Sequence, residues 1–240
     1  MGASLDWLKE QVEKVSFDEL LFRVNYGENK YVFGAMYTVK ENEIDIYAIS
    51  SIYDTIIDLN TKIKYSFEMA AACNPSENLM EHNMFEKPFG NERKAIYYIE
   101  NMVFRTSTLW DTLAQLCNIF WGIKKPIDKI YTSSFFHDYS QGKNKRKFAE
   151  SVYNYFKEAD KVKGDLERWL GNFQYVKEFR DKMTHRNSPN VSTLSNFDMK
   201  LRPPAIFVLK RVTEDYLKAI EFIQTTLEEI FIELEKDTLS

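Results

Sequence analysis

The sequence predicts an all-α protein in which four long helices form an antiparallel bundle and shorter helices pack around it. Apolar residues recur at steps of three and four along four long segments, as on one face of a helix. Glycine (8) and proline (6) are scarce in 240 residues, which disfavours turn-rich β architectures. An apolar fraction of 44% beside 28% charged residues supplies one buried face and one solvated face per helix.

The N-terminal region is predicted to add a helix over residues 4–22, with Trp7 and Leu8 on its buried side. Residues 30–49 fit two structures. Alternating apolar residues predict a small β-hairpin, whereas a helix that begins at Asn42 would also group its apolar residues on one face. Both interpretations stay open at this point.

The four long helices follow in order. The first spans 52–70 and ends before Asn74-Pro75, and the second spans 91–120. A shorter helix over 148–159 precedes the third long helix, which runs from Leu166 to Met183. The fourth begins after Pro203-Pro204 and extends to Leu234.

Composition excludes several classes of protein. The 32 basic and 36 acidic residues leave a net charge of −4, so no overall field attracts nucleic acid or acidic lipid. Two cysteines cannot form a disulfide framework, which favours a reduced, cytoplasmic setting. No apolar run is long enough to span a membrane. Histidine, cysteine and acidic residues are not clustered as metal ligands, so we expect neither a metal nor another cofactor.

One position breaks the apolar pattern of the third long helix. After Val176 the core-facing register is occupied by Arg180, where an unpaired charge would cost several kcal/mol. The guanidinium must therefore meet a carboxylate, a subunit interface or a cavity that admits an anion. Asp111 and Glu100 on the second long helix are the candidate carboxylates for a purely structural ion pair.

His185 follows five residues later, just before the helix-ending Asn187-Ser188-Pro189. A five-residue step turns about 140° around a regular helix, so a loosened last turn would be needed to bring the imidazole beside Arg180. Imidazole can transfer protons near neutral pH, and arginine binds phosphate through two donors. The neighbouring polar residues are candidates for contacting a substrate: Asp111, Lys182, Thr184, Arg186 and Asn187.

An arginine, a polar residue, three further residues and a histidine at the end of a long helix resemble the R-x(4–6)-H motif of the HEPN (higher eukaryotes and prokaryotes nucleotide-binding) superfamily. The charged and aromatic segment 104–111 is also similar to a helix of bacterial HEPN proteins. Length and layout resemble the clostridial-type branch. The likeness covers about 50–236, so residues 1–49 are expected to be an elaboration on a HEPN-like bundle over 50–240, together one compact unit.

The resemblance implies a homodimer in which the motif helices of two subunits meet across the two-fold axis. Many members of the superfamily are metal-independent endoribonucleases, while others only bind nucleotides or proteins. By this likeness, Arg180 would hold the scissile phosphate, His185 would transfer protons and Asp181 would orient the arginine. RNA and a protein antitoxin are the implied partners, in a toxin–antitoxin or defence role.

The charge distribution gives partial support for RNA binding. Residues 177–202 contain six basic and three acidic side chains, so the motif lies in a positive segment. A second basic run, 143–147, could follow a phosphate backbone or could be a solvated loop that leads into a helix.

Overall fold

The computed structural model describes residues 4–19, 45–73, 75, 83, 85–160, 169–185, 188–194 and 199–238. The helices in this part of the chain are α1 (Leu5–Lys14), α2 (Ile46–Ala72), α3 (Gly90–Phe120), α4 (Thr132–Tyr139), α5 (Lys147–Phe156), α6 (Asn172–His185) and α7 (Ala205–Thr238), with a 3-10 turn at Ile127–Lys129. Two antiparallel pairs of two-residue strands complete the described elements: β1 (Ala159–Asp160) with β2 (Trp169–Leu170), and β3 (Thr193–Leu194) with β4 (Met199–Lys200). The predicted all-α class is confirmed.

The four long helices α2, α3, α6 and α7 form the bundle. Glu92 near the start of α3 pairs with Arg202 just before α7, and Trp110 further along α3 bonds to Asp215 on α7. These two helices therefore run in the same direction, as the second and fourth helices of an alternating antiparallel bundle must.

The helix α7 lies deep in the core. Its predicted apolar stripe is buried at every described position: Ile206, Leu209, Tyr216, Ile220, Ile223, Leu227 and Ile230. Val208, Val212 and Phe222 are buried as well, so α7 packs on more than the single face that the pattern predicts. The described helices include none that is both long enough and apolar enough to cross a membrane.

The N-terminal helix is shorter than predicted, since α1 ends at Lys14 rather than near residue 22. The ammonium of Lys64 on α2 donates to the carbonyls of Glu13 and Val15, which occupies backbone acceptors at the end of α1. Leu8 is fully buried, as predicted, but Trp7 is 48% exposed. One residue turns about 100° around a helix, so the core-facing position of Leu8 leaves Trp7 on the outer side.

The region 30–49 is helical from Ile46 onward, so the β-hairpin interpretation is wrong for its last four residues. The Asp45 carboxylate accepts from the backbone N–H of Ala48 at 3.0 Å and caps the start of α2, as N-terminal caps of helices do. The rest of the proposed hairpin, residues 30–44, lies outside the described residues. Because α2 runs through residue 50, the predicted boundary between 49 and 50 falls inside a helix.

The third long helix, α6, begins at Asn172 rather than at Leu166. Trp169 and Leu170 instead form β2, which pairs with β1, and this pairing also ends the preceding helix before Ala159. Gly171 allows the close approach: its N–H donates to the Glu158 carbonyl at 3.0 Å, and a Cβ at this position would lie 2.3 Å from the same oxygen. Residues 161–168 lie outside the described residues.

Candidate functional site

A cavity of about 520 Å³ lies between α3, α4 and α6. Its volume falls in the range of about 300–1,000 Å³ that is typical of small-molecule sites. The polar wall from α6 contributes Lys177 and Arg180, one helical turn apart, and the wall from α3 contributes Asp111 and Gln115. The structure therefore places the predicted residues Arg180 and Asp111 on the walls of one cavity.

Arg180 is held by the next residue of its own helix. Its Nε and Nη2 atoms donate to Asp181 Oδ1 at 3.3 and 3.1 Å, and its side chain is 32% exposed. The structural pairs with Asp111 or Glu100 that the sequence allows are not formed: Asp111 accepts from Thr132, and Glu100 accepts from Asn190 at 2.6 Å. Arg180 thus lines an open cavity, and its counter-ion Asp181 is partly exposed rather than buried.

Lys177 brings a second cation to the same wall. Its ammonium donates to the Ser133 hydroxyl at 3.5 Å. Within the described ranges, Lys177 has no carboxylate at ion-pair distance. Two neighbouring cations, one of them without an acidic partner in this part of the chain, make this wall suited to an anion.

The α4 helix forms another wall of the cavity, next to Lys177. Thr132 is buried, and its hydroxyl donates to Asp111 Oδ1. This bond joins α4 to α3 and fixes the Asp111 carboxylate, whose second oxygen, Oδ2, lies outside that bond. Ser133 and Ser134 continue the hydroxyl-bearing wall beyond Thr132.

The floor of the cavity contains a fully buried carboxylate, Asp215. It accepts from Trp110 Nε1 at 3.1 Å and from the Tyr155 hydroxyl at 2.8 Å. Burial raises the pKa of Asp215 from 3.8 to about 7, while the two hydrogen bonds and the charge of Arg211 act in the opposite direction. Burial and the negative charge of Asp215 also raise the pKa of Tyr155. Both groups therefore hold their protons more tightly than exposed groups of the same type.

The C-terminal half of α6 stays α-helical through its last residue, His185. The loosened turn that would be needed to bring His185 beside Arg180 is not seen in α6, so the five-residue step between the two residues keeps its rotation of about 140°. Lys182 and Thr184 are exposed, and the Thr184 hydroxyl donates to the Arg180 and Asp181 carbonyls at 3.1 and 3.3 Å. The predicted substrate contacts Arg186 and Asn187 lie outside the described residues.

The positive segment 177–202 presents less charge to solvent than its sequence indicates, because Arg202 is only 3% exposed. Its guanidinium pairs with both Glu92 oxygens at 2.6 and 3.1 Å and donates to two backbone carbonyls. In the second basic run, Lys145 pairs with Glu150 at 2.7 Å, and Arg146 lies over the Trp121 ring at 4.9 Å. The run leads directly into α5, as the structural interpretation predicted.

Lys177, Thr132 and Ser133 are among the cavity residues that sequence reasoning missed. The three-residue step from Lys177 to Arg180 was a usable signal, since such residues share one helix face. No comparable signal pointed to Thr132 and Ser133, because an eight-residue helix carries little periodicity of its own.

The described helices define an all-α bundle with a cavity whose α6 wall carries two basic side chains. The chain belongs to the HEPN superfamily, since the family model described as HEPN_Cthe2314-like HEPN matches residues 31–235. HEPN domains are associated with nucleotide- and RNA-related functions. No curated protein and no solved structure matches the chain. The described residues include no group of three or more His, Cys, Asp or Glu arranged to hold a metal ion.

Proposed function

We propose that this protein is a metal-independent endoribonuclease that acts as a homodimer in the cytoplasm. The observation that carries the proposal is the position of the Arg180 guanidinium, which is partly exposed, is held by Asp181 and lines an open cavity. Arg180 precedes His185 by five residues on the same helix. Membership of the HEPN superfamily supports the same chemistry.

Cleavage needs a group that holds the phosphate and a group that moves protons. Arg180 binds the scissile phosphate and stabilises the charge that develops on its oxygens. His185 accepts the proton of the ribose 2′-hydroxyl as the 2′-oxygen bonds to phosphorus, or donates a proton to the departing 5′-oxygen. The P–O5′ bond breaks, leaving a 2′,3′-cyclic phosphate on one fragment and a 5′-hydroxyl on the other.

A homodimer would bring together Arg180 and His185, which a single subunit keeps apart. Because α6 is regular through His185, a single helix presents the two residues about 140° apart. A second α6 across a two-fold axis would bring the histidine of one subunit toward the arginine of the other. Lys182, Thr184, Arg186 and Asn187 would then border the RNA at the junction.

A catalytically inactive dimer that binds nucleotide, RNA or a protein antitoxin is the second candidate. The regular helical turn between Arg180 and His185 favours it, since binding requires the cationic wall but not the histidine. The first candidate implies a toxin or defence role, and the second is compatible with a regulatory one.

The deciding experiment incubates purified protein with RNA in excess chelator and identifies product ends by mass spectrometry. We expect 2′,3′-cyclic phosphate ends from the wild type, and loss of cleavage in Arg180→Ala and His185→Ala variants whose circular dichroism spectra are unchanged. The Lys94→Ala variant is the matched control, because Lys94 is an exposed cation of α3 that does not line the cavity. Folded wild-type protein that binds RNA without cutting it would replace the first candidate with the second.

A mixing experiment tests the shared site. Arg180→Ala and His185→Ala proteins, each inactive alone, should regain part of the wild-type activity after they are unfolded and refolded together, because a mixed dimer contains one intact pair. If the mixture stays inactive while mixed dimers form, the site is not shared between subunits.

A further inference from the structure

The cavity beside Arg180 has three chemically different parts that the cleavage step does not use. The α6 wall carries Lys177, the α3 wall carries the Asp111 carboxylate, and the rim carries Tyr131, whose side chain is 70% exposed. A cation, a hydrogen-bond acceptor and an exposed aromatic ring around one cavity match the phosphate, polar edge and flat face of a nucleotide.

We infer that this cavity is a base-selecting subsite that holds one RNA nucleotide next to the scissile phosphate and prefers guanine. The inference deepens the proposed function and rests on it. Lys177 contacts the phosphate adjacent to the one on Arg180, since the two cations lie one turn apart on the same wall. Tyr131 stacks on the base, as exposed aromatic side chains do with unpaired RNA bases.

The preference for guanine follows from the Asp111 carboxylate, which can only accept hydrogen bonds. One of its oxygens accepts from Thr132, which fixes the orientation of the group. Guanine presents two adjacent donors, N1–H and the 2-amino group, on its Watson–Crick edge. Adenine and cytosine place one amino group beside a ring nitrogen acceptor, and uracil places its N–H between two carbonyls that would face the carboxylate.

The arrangement also explains why a cavity for an anionic ligand contains an acidic residue. Lys177 and Arg180 come from α6, whereas Asp111 comes from α3 and is bonded to α4. The basic groups therefore come from α6 and this acidic group from α3, and the difference orients a nucleotide that enters with its phosphate toward α6 and its base toward α3.

Binding can be measured without cleavage in the His185→Ala protein, which keeps every residue of the cavity wall. Fluorescence anisotropy with five-nucleotide RNAs of the form UUXUU compares guanine, adenine, cytosine and uracil at the central position. We expect UUGUU to bind about tenfold more tightly than UUUUU, the size of one good base contact. Adding Asp111→Asn should reduce this preference to about twofold or less, since the amide still accepts from Thr132 but can no longer accept with both oxygens.

The contact of Lys177 with phosphate is tested by a separate pair of variants. Lys177→Ala in the His185→Ala background should weaken the binding of all four RNAs by about tenfold and reduce the dependence of binding on salt. Lys94→Ala in the same background should match the parent for all four RNAs. A guanine preference that survives Asp111→Asn, no guanine preference at all, or a Lys177 variant that equals the Lys94 variant would each overturn the inference.

The outcomes separate this inference from the proposed function. If the wild type cuts no RNA while the His185→Ala protein shows the Asp111-dependent preference, catalysis is excluded and the subsite stands. If the wild type cuts RNA equally well beside every base and Asp111→Asn changes nothing, the endoribonuclease proposal stands and the subsite is excluded.

Discussion

Trp110 on α3 donates its indole N–H to the carboxylate of Asp215 on α7, at 3.1 Å, in the fully buried floor of the cavity. Tyr155 on α5 donates to the other carboxylate oxygen at 2.8 Å. Asp215 therefore connects three helices through two hydrogen bonds and supports the wall on which the candidate site is built.

Replacing Asp215 with Asn should destabilise the protein by about 1–3 kcal/mol at pH 8. The amide oxygen can accept from one of the two donors, but the amide nitrogen then faces the other donor, which is left unsatisfied in the core. Urea denaturation followed by circular dichroism measures the change. A variant as stable as the wild type would show that the two bonds contribute nothing net.

The same residue predicts a pH dependence of stability. The pKa of Asp215 in the folded protein is about 7, above its value in an unfolded chain, so between pH 4 and 7 the folded state holds a proton that the unfolded state releases. The contribution of Asp215 to the free energy of unfolding is therefore largest at low pH and declines as the pH rises toward 7. Urea denaturation at several pH values should show that the free energy of unfolding declines less steeply with rising pH in Asp215→Asn than in the wild type. Equal slopes would contradict the raised pKa.

Arg180→Lys should reduce RNA cleavage by more than about tenfold, because lysine cannot bind a phosphate through two fixed donors. The free energy of unfolding should change by less than about 1 kcal/mol, since the pair with Asp181 is partly exposed to solvent. Initial cleavage rates and urea denaturation of the same preparation give both quantities. A large loss of stability with unchanged cleavage per folded molecule would assign Arg180 a structural role instead.

Arg202→Ala should destabilise the protein by about 1–3 kcal/mol, since it removes a buried guanidinium that pairs with Glu92 and donates to two backbone carbonyls. Arg93→Ala is the matched control, because Arg93 is exposed on the same helix as Glu92. The Arg93→Ala substitution should lower the free energy of unfolding by less than about 0.5 kcal/mol. Thermal denaturation compares the two, and similar costs would contradict the buried role of Arg202.

Gly171→Ala should destabilise the protein by about 1–3 kcal/mol. The added methyl group would lie 2.3 Å from the backbone oxygen of Glu158, and backbone atoms cannot move aside as the end of a flexible side chain can. Gly142→Ala offers a useful comparison, because nothing lies within 4 Å of a Cβ there and its cost comes from the positive φ of +70°. Hydrogen exchange at the β1–β2 pair should increase only in the Gly171 variant.

Several features of this fold were predictable because they are local. The stripe on α7 was correct at every described position from Ile206 to Ile230, since apolar spacing along one helix depends on nothing beyond that helix. The start of α7 after Pro204 was also correct. The third long helix was extended too far because Leu166 and Trp169 fit its apolar pattern, whereas pairing with β1 places Trp169 in a strand.

The sequence by itself determined the helical class, the approximate extents of the long helices and the anomaly of a charged residue, Arg180, in an apolar register. Only the tertiary structure decided that Arg180 pairs with neither Asp111 nor Glu100, that α4 contributes a wall of the cavity beside it, and that Lys177 and Asp111 share the walls of that cavity. Helical periodicity arises from neighbours along the chain, but cavities and contacts between helices arise where distant segments pack. Arg180 pairs with Asp181 and not with Asp111, whose carboxylate accepts from Thr132, a contact across 21 residues.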